Sequence, residues 1–510
     1  MPVLRVLGSS RQLCDGVSRR DFLQVGSLGF LGITSAGVAA LEAAQQRDPA
    51  DALKSSFGRA KSVILLFLFG GASQLETFDV KPDAPLEVRG TLKSIPTAVP
   101  GYRVCEGLPR IAGLIDRTTV LRSLTHPYPI HPTSYVVTST PFVDGAMQDN
   151  PRDPRHWPFI GSVVDYLDER RAPDRLPVLP RNLALPFRYS SRSPSPIKYA
   201  GPYCGFLGSS YDPVWAEFEG EALHEETYHF GGVLTTVRDP YGGIKPNCSF
   251  QLPSQTLPAE ITLDRLDRRR SLLGQFDEAR RDLDRNDRVQ AFGRSRDMGY
   301  SMLRSGALRR ALDVGAEPRG VRERYGMTLF GQATMVARRV IEAGGRFVTV
   351  FWDDFGSVNA AWDTHFRHYP RLTNQLLPGF DLAYSALLTD LEQRGLLDET
   401  LVICTTEHGR TPKLDPDGDH HTGAKGLGGR NHWSRAYSSI LAGAGIRRGH
   451  ILGKTDKVAG EVVDSPISPH DILATTYHLL GIDPHTLILD RTGRPFAIGG
   501  NGRVLAEALV

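Results

Sequence analysis

The sequence predicts an α/β fold with a mainly parallel central sheet and helices on both faces. Runs of consecutive apolar residues, typical of strands buried on both faces, occur at Ser62–Phe69, Arg346–Trp352 and Leu401–Cys404. Segments with apolar residues at helical spacing alternate with them, at Gly331–Ala343 and Arg371–Arg394. Strands that alternate with helices favour parallel pairing, because each crossover helix returns the chain to the same edge of the sheet.

Composition and charge narrow the class of protein. The 510 residues are 40% hydrophobic and 23% charged, which is typical of a globular protein. A formal net charge of +3 gives no indication of nucleic-acid binding. None of the 5 cysteines forms a C-x-x-C pair, so a zinc–thiolate cluster is not expected, although Cys204 and Cys248 are a candidate disulfide pair in an oxidising compartment.

The N-terminal segment has the layout of an export signal. The hexapeptide SRRDFL at 18–23 precedes a Gly- and Ala-rich apolar stretch, Val25–Ala40. Its Arg19-Arg20 pair resembles the signature read by the twin-arginine translocation machinery. Gly and Ser interrupt the apolar stretch, so no stable membrane span is expected. We predict that residues 1–45 are signal peptide and linker and that the protein is periplasmic or extracellular; the alternative is an amphipathic N-terminal helix of a cytoplasmic protein.

The remainder, residues 46–510, is predicted to be a single α/β domain with two insertions. Residues 141–258 are rich in Pro, Gly, Tyr and Arg and contain few periodic runs, which indicates a loop-rich insertion. Residues 259–325 are dense in Arg, Asp, Leu and Glu with opposite charges three or four positions apart. This pattern predicts exposed, charged helices rather than a surface for an acidic polymer.

Acidic residues and histidines follow the predicted strands. Gly70 and Gly71 end the first strand, where glycine permits a tight turn and close approach of a ligand. Glu76 and Asp79 come next, as two acidic candidates for a ligand. No GK[ST] follows, which excludes a P-loop.

Further candidate ligands follow later strands and should converge at one edge, because the carboxyl ends of parallel strands meet there. A mixed set of imidazoles and carboxylates suits zinc or manganese better than calcium, which prefers oxygen ligands alone. The loop at 415–433 adds His420 and His421 to this set of residue types. The candidate ligands by residue type and position are Asp363, His365, Glu407, His408 and His432, with Glu76 or Asp79 as a further one.

Hydroxyl groups follow the strand predicted at Thr119–Arg122. Thr133 and Ser134 stand where a helix is expected to begin, a position suited to holding an anion or simply to capping the helix. Metal ions beside a hydroxyl suit hydrolysis of phosphate or sulfate esters. Thr133 and Ser134 are therefore candidate hydroxyls for such a site, and His131 precedes them in the sequence. Arg410 is a candidate for neutralising substrate charge or an ordinary surface arginine.

The order of these motifs resembles the alkaline phosphatase and sulfatase superfamily. W-D-T-H at 362–365, T-E-H-G at 406–409 and G-R-N-H-W around His432 resemble its successive ligand motifs. The stretches SRRDFL, GGASQLETFDVKP, LRSLTHP, ERYGMTLFGQ, RRVIEAGGRFVTV and GLLDETLVICTTEHGRTP are similar to those of a twin-arginine-exported, sulfatase-like bacterial family of unknown function. The signature C/S-x-P-S-R is absent. The resemblance therefore implies the fold and the export route but not formylglycine chemistry.

What the resemblance implies is an exported, metal-dependent hydrolase acting on phosphate or sulfate esters of small molecules or polysaccharides. Its implied metal ligands are Asp79, which is favoured over Glu76, and Asp363, His365, Glu407, His408 and His432. Thr133 is the first choice for the attacking group and Ser134 the second, with His131 as a further catalytic candidate. A second hypothesis is a catalytically degenerate member that binds sulfated or phosphorylated glycans or serves as a secreted scaffold. A mutase or transferase would share the same ligands.

Overall fold

The computed structural model describes residues 49–173, 177–230, 233–252, 293–294, 296–301, 306–356, 359–416 and 428–510. The chain divides into two compact units, Met1–Ser55 and Ser56–Val510, and the described part of the first belongs to the helix Pro49–Ser56. The predicted signal segment, most of the charged insertion, and His420 and His421 lie outside the described residues. Within the described ranges, every helix is too short or too polar to cross a membrane.

An eight-stranded sheet forms the centre of the second unit. Its strands are β1 (Ser62–Leu68), β2 (Thr118–Leu124), β3 (Asn182–Leu185), β4 (Val214–Trp215), β5 (Phe347–Trp352), β6 (Thr400–Thr405), β7 (Tyr437–Ala442) and β8 (His450–Leu452). They lie in the order β8-β2-β7-β6-β1-β5-β3-β4. Strand β7 is antiparallel to both neighbours and the other pairs are parallel, so the mainly parallel sheet is confirmed.

Five labelled helices of the described residues surround this sheet. They are α1 (Thr133–Val137), α2 (Ile160–Arg171), α3 (Leu329–Glu342), α4 (Leu377–Gln393) and α5 (Pro469–Leu479). Helix α1 has only five residues. Short helices are Leu86–Arg89, Pro109–Ala112, Gly145–Gln148, Gly306–Leu312, Arg319–Arg324 and His368–Arg371. Two-stranded ribbons pair Ser94–Pro96 with Arg103–Cys105, Glu217–Glu219 with Ser249–Gln251, Ala222–Phe230 with Val233–Ile244, Gly409–Arg410 with His432–Trp433, Lys454–Thr455 with Val462–Asp464, and Leu487–Leu489 with Pro495–Ala497.

Helices cover both faces of the sheet, as predicted. Successive residues of a strand point to opposite faces. On one face, Leu65 and Ile403 line a small apolar cavity together with Ile160 of α2 and Ile472 of α5. On the other face, the Trp352 ring packs against Phe330 of α3, with their centroids 4.8 Å apart. Burial on both faces explains why β1, β5 and β6 are continuous apolar runs.

The segment expected to be a loop-rich insertion contributes more than loops. Its strands β3 and β4 extend the central sheet beside β5. It also contains helix α2. These strands have only four and two residues, too few to produce a recognisable apolar pattern in the sequence. Cys204 and Cys248 are both free thiols, so the candidate disulfide is absent among the described residues.

Candidate metal centre

The loops after β1, β5 and β6 meet at the carboxyl edge of the sheet. The three strands are parallel neighbours, so their last residues lie side by side. Phe69 accepts a hydrogen bond at its carbonyl from Trp362 N–H (2.8 Å), and Gly70 N–H donates to Glu407 Oε1 (2.7 Å). Gly70 has φ +102°, and a side chain there would overlap the backbone of Asp363. The glycine after β1 is therefore what lets the loop carrying Asp363 approach.

A two-stranded ribbon brings the last histidine to this edge. Gly409 and Arg410 pair with Trp433 and His432 in antiparallel register, with Arg410 opposite His432. Because His408 directly precedes this ribbon, the pairing places two histidines from distant parts of the chain next to each other. Their ring centroids are 4.4 Å apart.

The residues brought together form what we call the His–Asp cluster, which consists of His131, Asp363, His365, His408 and His432. One nitrogen from each of His131, His408 and His432 lies within 4.8 Å of the others, and the same holds for ligand atoms of Asp363, His365 and His432. His432 belongs to both groups. The Nε2 atoms of His365 and His432 are 2.9 Å apart.

Asp363 connects the histidines. Its Oδ1 lies 3.1 Å from His365 Nε2 and 3.2 Å from His432 Nε2, and its Oδ2 lies 3.6 Å from His131 Nε2. The Arg410 guanidinium also contacts Oδ1. Burial alone would raise the pKa of Asp363, but Arg410 and the hydrogen bonds from the histidines hold it well below its usual range. Asp363 therefore remains a carboxylate.

The imidazoles differ in their charge. Burial disfavours the charged form of His131, but hydrogen bonds to Asp363 and Glu407 raise its pKa to about 10. Burial and the nearby charge of His131 lower the pKa of His432 to about 4. Burial, His432, Arg410 and His131 together hold the pKa of His408 well below its usual value. Neutral His408 and His432 each have a nitrogen lone pair to offer to a cation.

The cluster fits a transition-metal ion. The Nε2 atom of His408 is buried and has no hydrogen-bond partner among the described residues, which is costly unless it binds something else. A side chain on Gly71 would overlap the His408 ring, so the glycine makes room for this ring in the cluster. Asp363, His365 and His432 would hold the ion, or His131, His408 and His432 once His131 has released its proton. This donor set suits zinc or manganese.

Glu407 contacts His131 of the cluster but belongs to neither of the two ligand groups. Its Oε1 accepts from Gly70 N–H and lies 3.0 Å from His131 Nδ1, and Thr406 Oγ1 donates to its Oε2 (3.3 Å). Its carbonyl lies 2.7 Å from His126 Nε2. The structure thus makes Glu407 the residue that orients His131, a different position from the direct ligand expected from the sequence.

The two acidic candidates after β1 lie in other surroundings. Asp79 pairs with Lys81 (3.0 Å) and Arg122 (3.6 Å) and accepts from Thr455. The structure therefore does not bring Asp79 to the His–Asp cluster, which corrects the sequence prediction.

Glu76 belongs to a second buried group, which we call the Glu76 network and which consists of Glu76, His368 and Arg430. Arg430 Nη2 lies 2.6 Å from Glu76 Oε1, and His368 Nε2 lies 3.3 Å from Oε2. Although burial raises the pKa of Glu76, Arg430 and His368 hold it far below its usual range.

Arg410 is fully buried, and its guanidinium is hydrogen-bonded to other groups of the protein. Nε donates to the Gly71 carbonyl (3.0 Å), Nη1 donates to the Arg430 carbonyl (3.0 Å), and Nη2 contacts the Gly70 carbonyl and Asp363. This corrects the expectation that Arg410 is free to bind substrate. It instead fixes the glycine turn and Asp363 relative to each other.

The candidate nucleophiles are buried side chains. Thr133 is the first residue of α1, and its Oγ1 lies 2.8 Å from the Tyr189 hydroxyl. Ser134 Oγ is buried and has no hydrogen-bond partner in the described part of the chain. By contrast, Asp363, His365 and His432 are only half-buried, so solvent reaches the cluster from their side.

Sequence reasoning missed a pair of aspartates at the end of β5. Asp353 accepts hydrogen bonds from the backbone N–H groups of Ser190 (2.6 Å) and Asp354 (2.8 Å). Burial, opposed in part by His131 and reinforced by Asp363, raises the pKa of Asp354 to about 7. The signal that could have identified them is their position directly after a buried strand, the same signal that identified Glu407 and His408.

The sequence matches a known family over most of its length. The family described as "Protein of unknown function (DUF1501)" matches residues 60–509. The chain belongs to this family. Rat (Rattus norvegicus) steryl-sulfatase is 30% identical over 152 residues, which cover 26% of this chain and 25% of that protein.

Solved structures resemble the DUF1501 chain over most of its length. A sulfatase from Pseudoalteromonas sp. covers 91% of this chain and 75% of its own, with 12% identity and a TM-score of 0.38. The phosphonate monoester hydrolase of Silicibacter pomeroyi covers 88% of this chain and 76% of its own, with 13% identity and a TM-score of 0.34. An alkaline phosphatase superfamily protein from Vibrio parahaemolyticus covers 91% and 80%, with 10% identity and a TM-score of 0.35.

Proposed function

We propose that this DUF1501 protein is a metal-dependent hydrolase of phosphate or sulfate esters. The observation that carries the proposal is the His–Asp cluster, in which the neutral imidazoles of His408 and His432 converge beside the carboxylate of Asp363. The buried Nε2 atom of His408 has no hydrogen-bond partner among the described residues. Neutral imidazoles and a carboxylate at the carboxyl edge of an α/β sheet are a donor set for zinc or manganese. The partial match to a steryl-sulfatase agrees with ester hydrolysis.

A divalent ion held by the cluster would act as a Lewis acid on the oxygens of the ester group. The protein residues supply position. The Arg410 guanidinium contacts Asp363, and Glu407 contacts Nδ1 of His131. These two candidate ligands are therefore each oriented by a second residue. The half-buried side formed by Asp363, His365 and His432 is where an ester group can approach.

The group that attacks the ester is either a side-chain hydroxyl or a water molecule. Thr133 keeps its place as a candidate nucleophile, with Ser134 second, and the hydroxyl of Tyr189 holds Thr133 Oγ1. However, Thr133 and Ser134 are almost fully buried. That burial favours water, which reaches the half-buried side of the cluster, forms the new bond to phosphorus or sulfur and displaces the alcohol.

The test combines metal analysis with a substrate panel. We expect purified full-length protein to contain stoichiometric zinc or manganese and to hydrolyse at least one phosphate or sulfate ester, with activity lost after chelation. Absence of bound metal would overturn the proposal. Metal without turnover on any monoester or diester would favour the glycan-binding alternative.

The Thr133→Ala variant identifies the attacking group. An unchanged rate in this variant and also in Ser134→Ala assigns attack to water, because neither candidate hydroxyl is then required. A loss of several orders of magnitude, with metal content retained, assigns it to Thr133.

We also propose export through the twin-arginine pathway. Support comes from the Arg19-Arg20 pair and the following apolar stretch. Replacing both arginines by lysine should leave the protein in the cytoplasm, as measured by cell fractionation. Unchanged export of that variant would contradict the proposal.

A further inference from the structure

A polar cavity on helix α4 contains none of the residues of the His–Asp cluster. It has a volume of about 150 Å³ and is lined by Arg110, Arg324, Tyr325, Ser385, Thr389 and Asp390. Arg110 comes from the short helix Pro109–Ala112, and Arg324 ends the helix Arg319–Arg324. Three separate elements therefore converge on one concave surface.

The two arginines bring positive charge that the protein does not neutralise directly. Across the described residues, neither guanidinium lies within ion-pair distance of a carboxylate. Asp381, which lies near Arg110, already accepts the backbone N–H groups of Arg110 (3.1 Å) and Ile111 (2.8 Å). By contrast, Arg319 on the same helix as Arg324 pairs with Glu323 at 2.6 Å.

The one carboxylate that lines the cavity is already satisfied. Asp390 lies 2.9 Å from Arg338 Nε and 2.8 Å from Arg394 Nε, and it accepts from the Tyr325 hydroxyl at 3.0 Å. Its charge is therefore shared by two other arginines. The positive charge of Arg110 and Arg324 remains in excess within the cavity.

Hydroxyl groups complete the lining. Ser385 and Thr389 are four residues apart on α4, so they lie on the same face of the helix. The Ser385 hydroxyl donates to the Leu382 carbonyl (3.2 Å), so Thr389 is the hydroxyl of the two that can donate to a ligand. Guanidinium forks and hydroxyl donors are the groups that recognise a tetrahedral oxyanion. We propose that this cavity binds a small tetrahedral oxyanion, either free sulfate or free phosphate, at a site independent of the His–Asp cluster.

Calorimetric titration of the full-length protein with sodium sulfate, and separately with sodium phosphate, tests this assignment. A chelator is present in both titrations, so that no anion binds through a metal at the cluster. We expect one anion per chain, with affinity roughly tenfold lower in Arg110→Gln and in Arg324→Gln and binding lost in the double variant. Arg319→Gln is the matched control and should bind like wild type.

The same site should appear in thermal unfolding. Anion should raise the melting temperature of wild type and Arg319→Gln but not that of the double variant, because only a folded site that binds gains stability from the ligand. Equal anion binding by wild type and the double variant would overturn the proposal. If Arg319→Gln lost anion binding to the same extent as the double variant, the proposal would also be overturned. That result would mean that the anion responds to the overall positive charge of the surface and not to this cavity. Binding of one anion and not the other identifies the ligand.

Discussion

Two groups of buried histidines and carboxylates lie in the loops at the carboxyl edge of the sheet, and their charges are balanced differently. In the Glu76 network, Arg430 and His368 both contact the carboxylate of Glu76, so each charge has a partner. In the His–Asp cluster, His408 and His432 face each other and His408 Nε2 has no partner among the described residues. The Glu76 network has one histidine and one arginine beside its carboxylate, whereas the His–Asp cluster brings four histidines around one carboxylate. The number of converging imidazoles therefore separates a structural group from a candidate metal site.

The largest expected effect is on the cluster. His432→Ala removes the residue shared by both ligand groups, and we expect metal content to fall to background and ester hydrolysis to fall by about three orders of magnitude. His485→Ala, which removes an exposed histidine, is the control and should retain both. Full metal content in His432→Ala would erase the distinction between the two groups.

The Glu76 network should respond in stability instead. Glu76→Gln leaves Arg430 buried without its carboxylate, and we expect urea denaturation to show a loss of about 3–5 kcal/mol in the free energy of unfolding. Glu323→Gln breaks the exposed pair with Arg319 and should cost less than about 1 kcal/mol. Metal content should persist in both folded variants. A stable Glu76→Gln protein that lacks metal would place Glu76 in the metal site.

Arg410 links the glycine turn and the cluster, so its replacement should weaken the cluster without dismantling it. Arg410→Gln removes the guanidinium from Asp363, and we expect metal affinity to fall by roughly 10- to 100-fold. Competition with a chromophoric chelator measures this affinity. Arg435→Gln, an exposed arginine near His432 that pairs with Glu461, should be neutral. If the two variants behave alike, Arg410 does not position Asp363.

A separate, pH-dependent effect concerns a buried histidine outside both groups. Burial lowers the pKa of His470 from 6.5 to about 4. As pH falls below 6.5, the unfolded chain binds a proton that the folded chain does not, so stability is lost by up to about 1.4 kcal/mol per pH unit until about pH 4. His470→Gln removes this term, and its unfolding free energy should fall less steeply between those pH values. Parallel curves for wild type and variant would contradict the assignment.

The fold was predictable where burial is continuous. Strands β1, β5 and β6 are covered on both faces, and their sequences carry that information directly. Strands β3 and β4 were not predictable, because strands of four and two residues have no distinctive pattern. Strand β3 takes its place in the sheet by pairing with β5, a contact between distant segments, and β4 then pairs with β3.

The candidate site was predictable by position but not by side-chain direction. Asp363, His365, His408 and His432 were identified because they follow strands or enter the same edge. Asp79 and Arg410 also follow strands, but long-range contacts decide where they point. Thr455 meets Asp79 from 376 residues along the chain, and the carbonyl of Gly70 meets Arg410 from 340 residues away. Such contacts leave no trace in local sequence pattern.

The central claim is that the His–Asp cluster, and not the neighbouring Glu76 network, binds a transition metal. Anomalous X-ray scattering at the zinc and manganese edges, from crystals of the full-length protein, tests it most directly. We predict a peak in contact with His432 and at least two of His131, Asp363, His365 and His408. A metal-loaded crystal with its peak elsewhere, or a crystal grown with both metals that shows no peak at the cluster, would contradict the account.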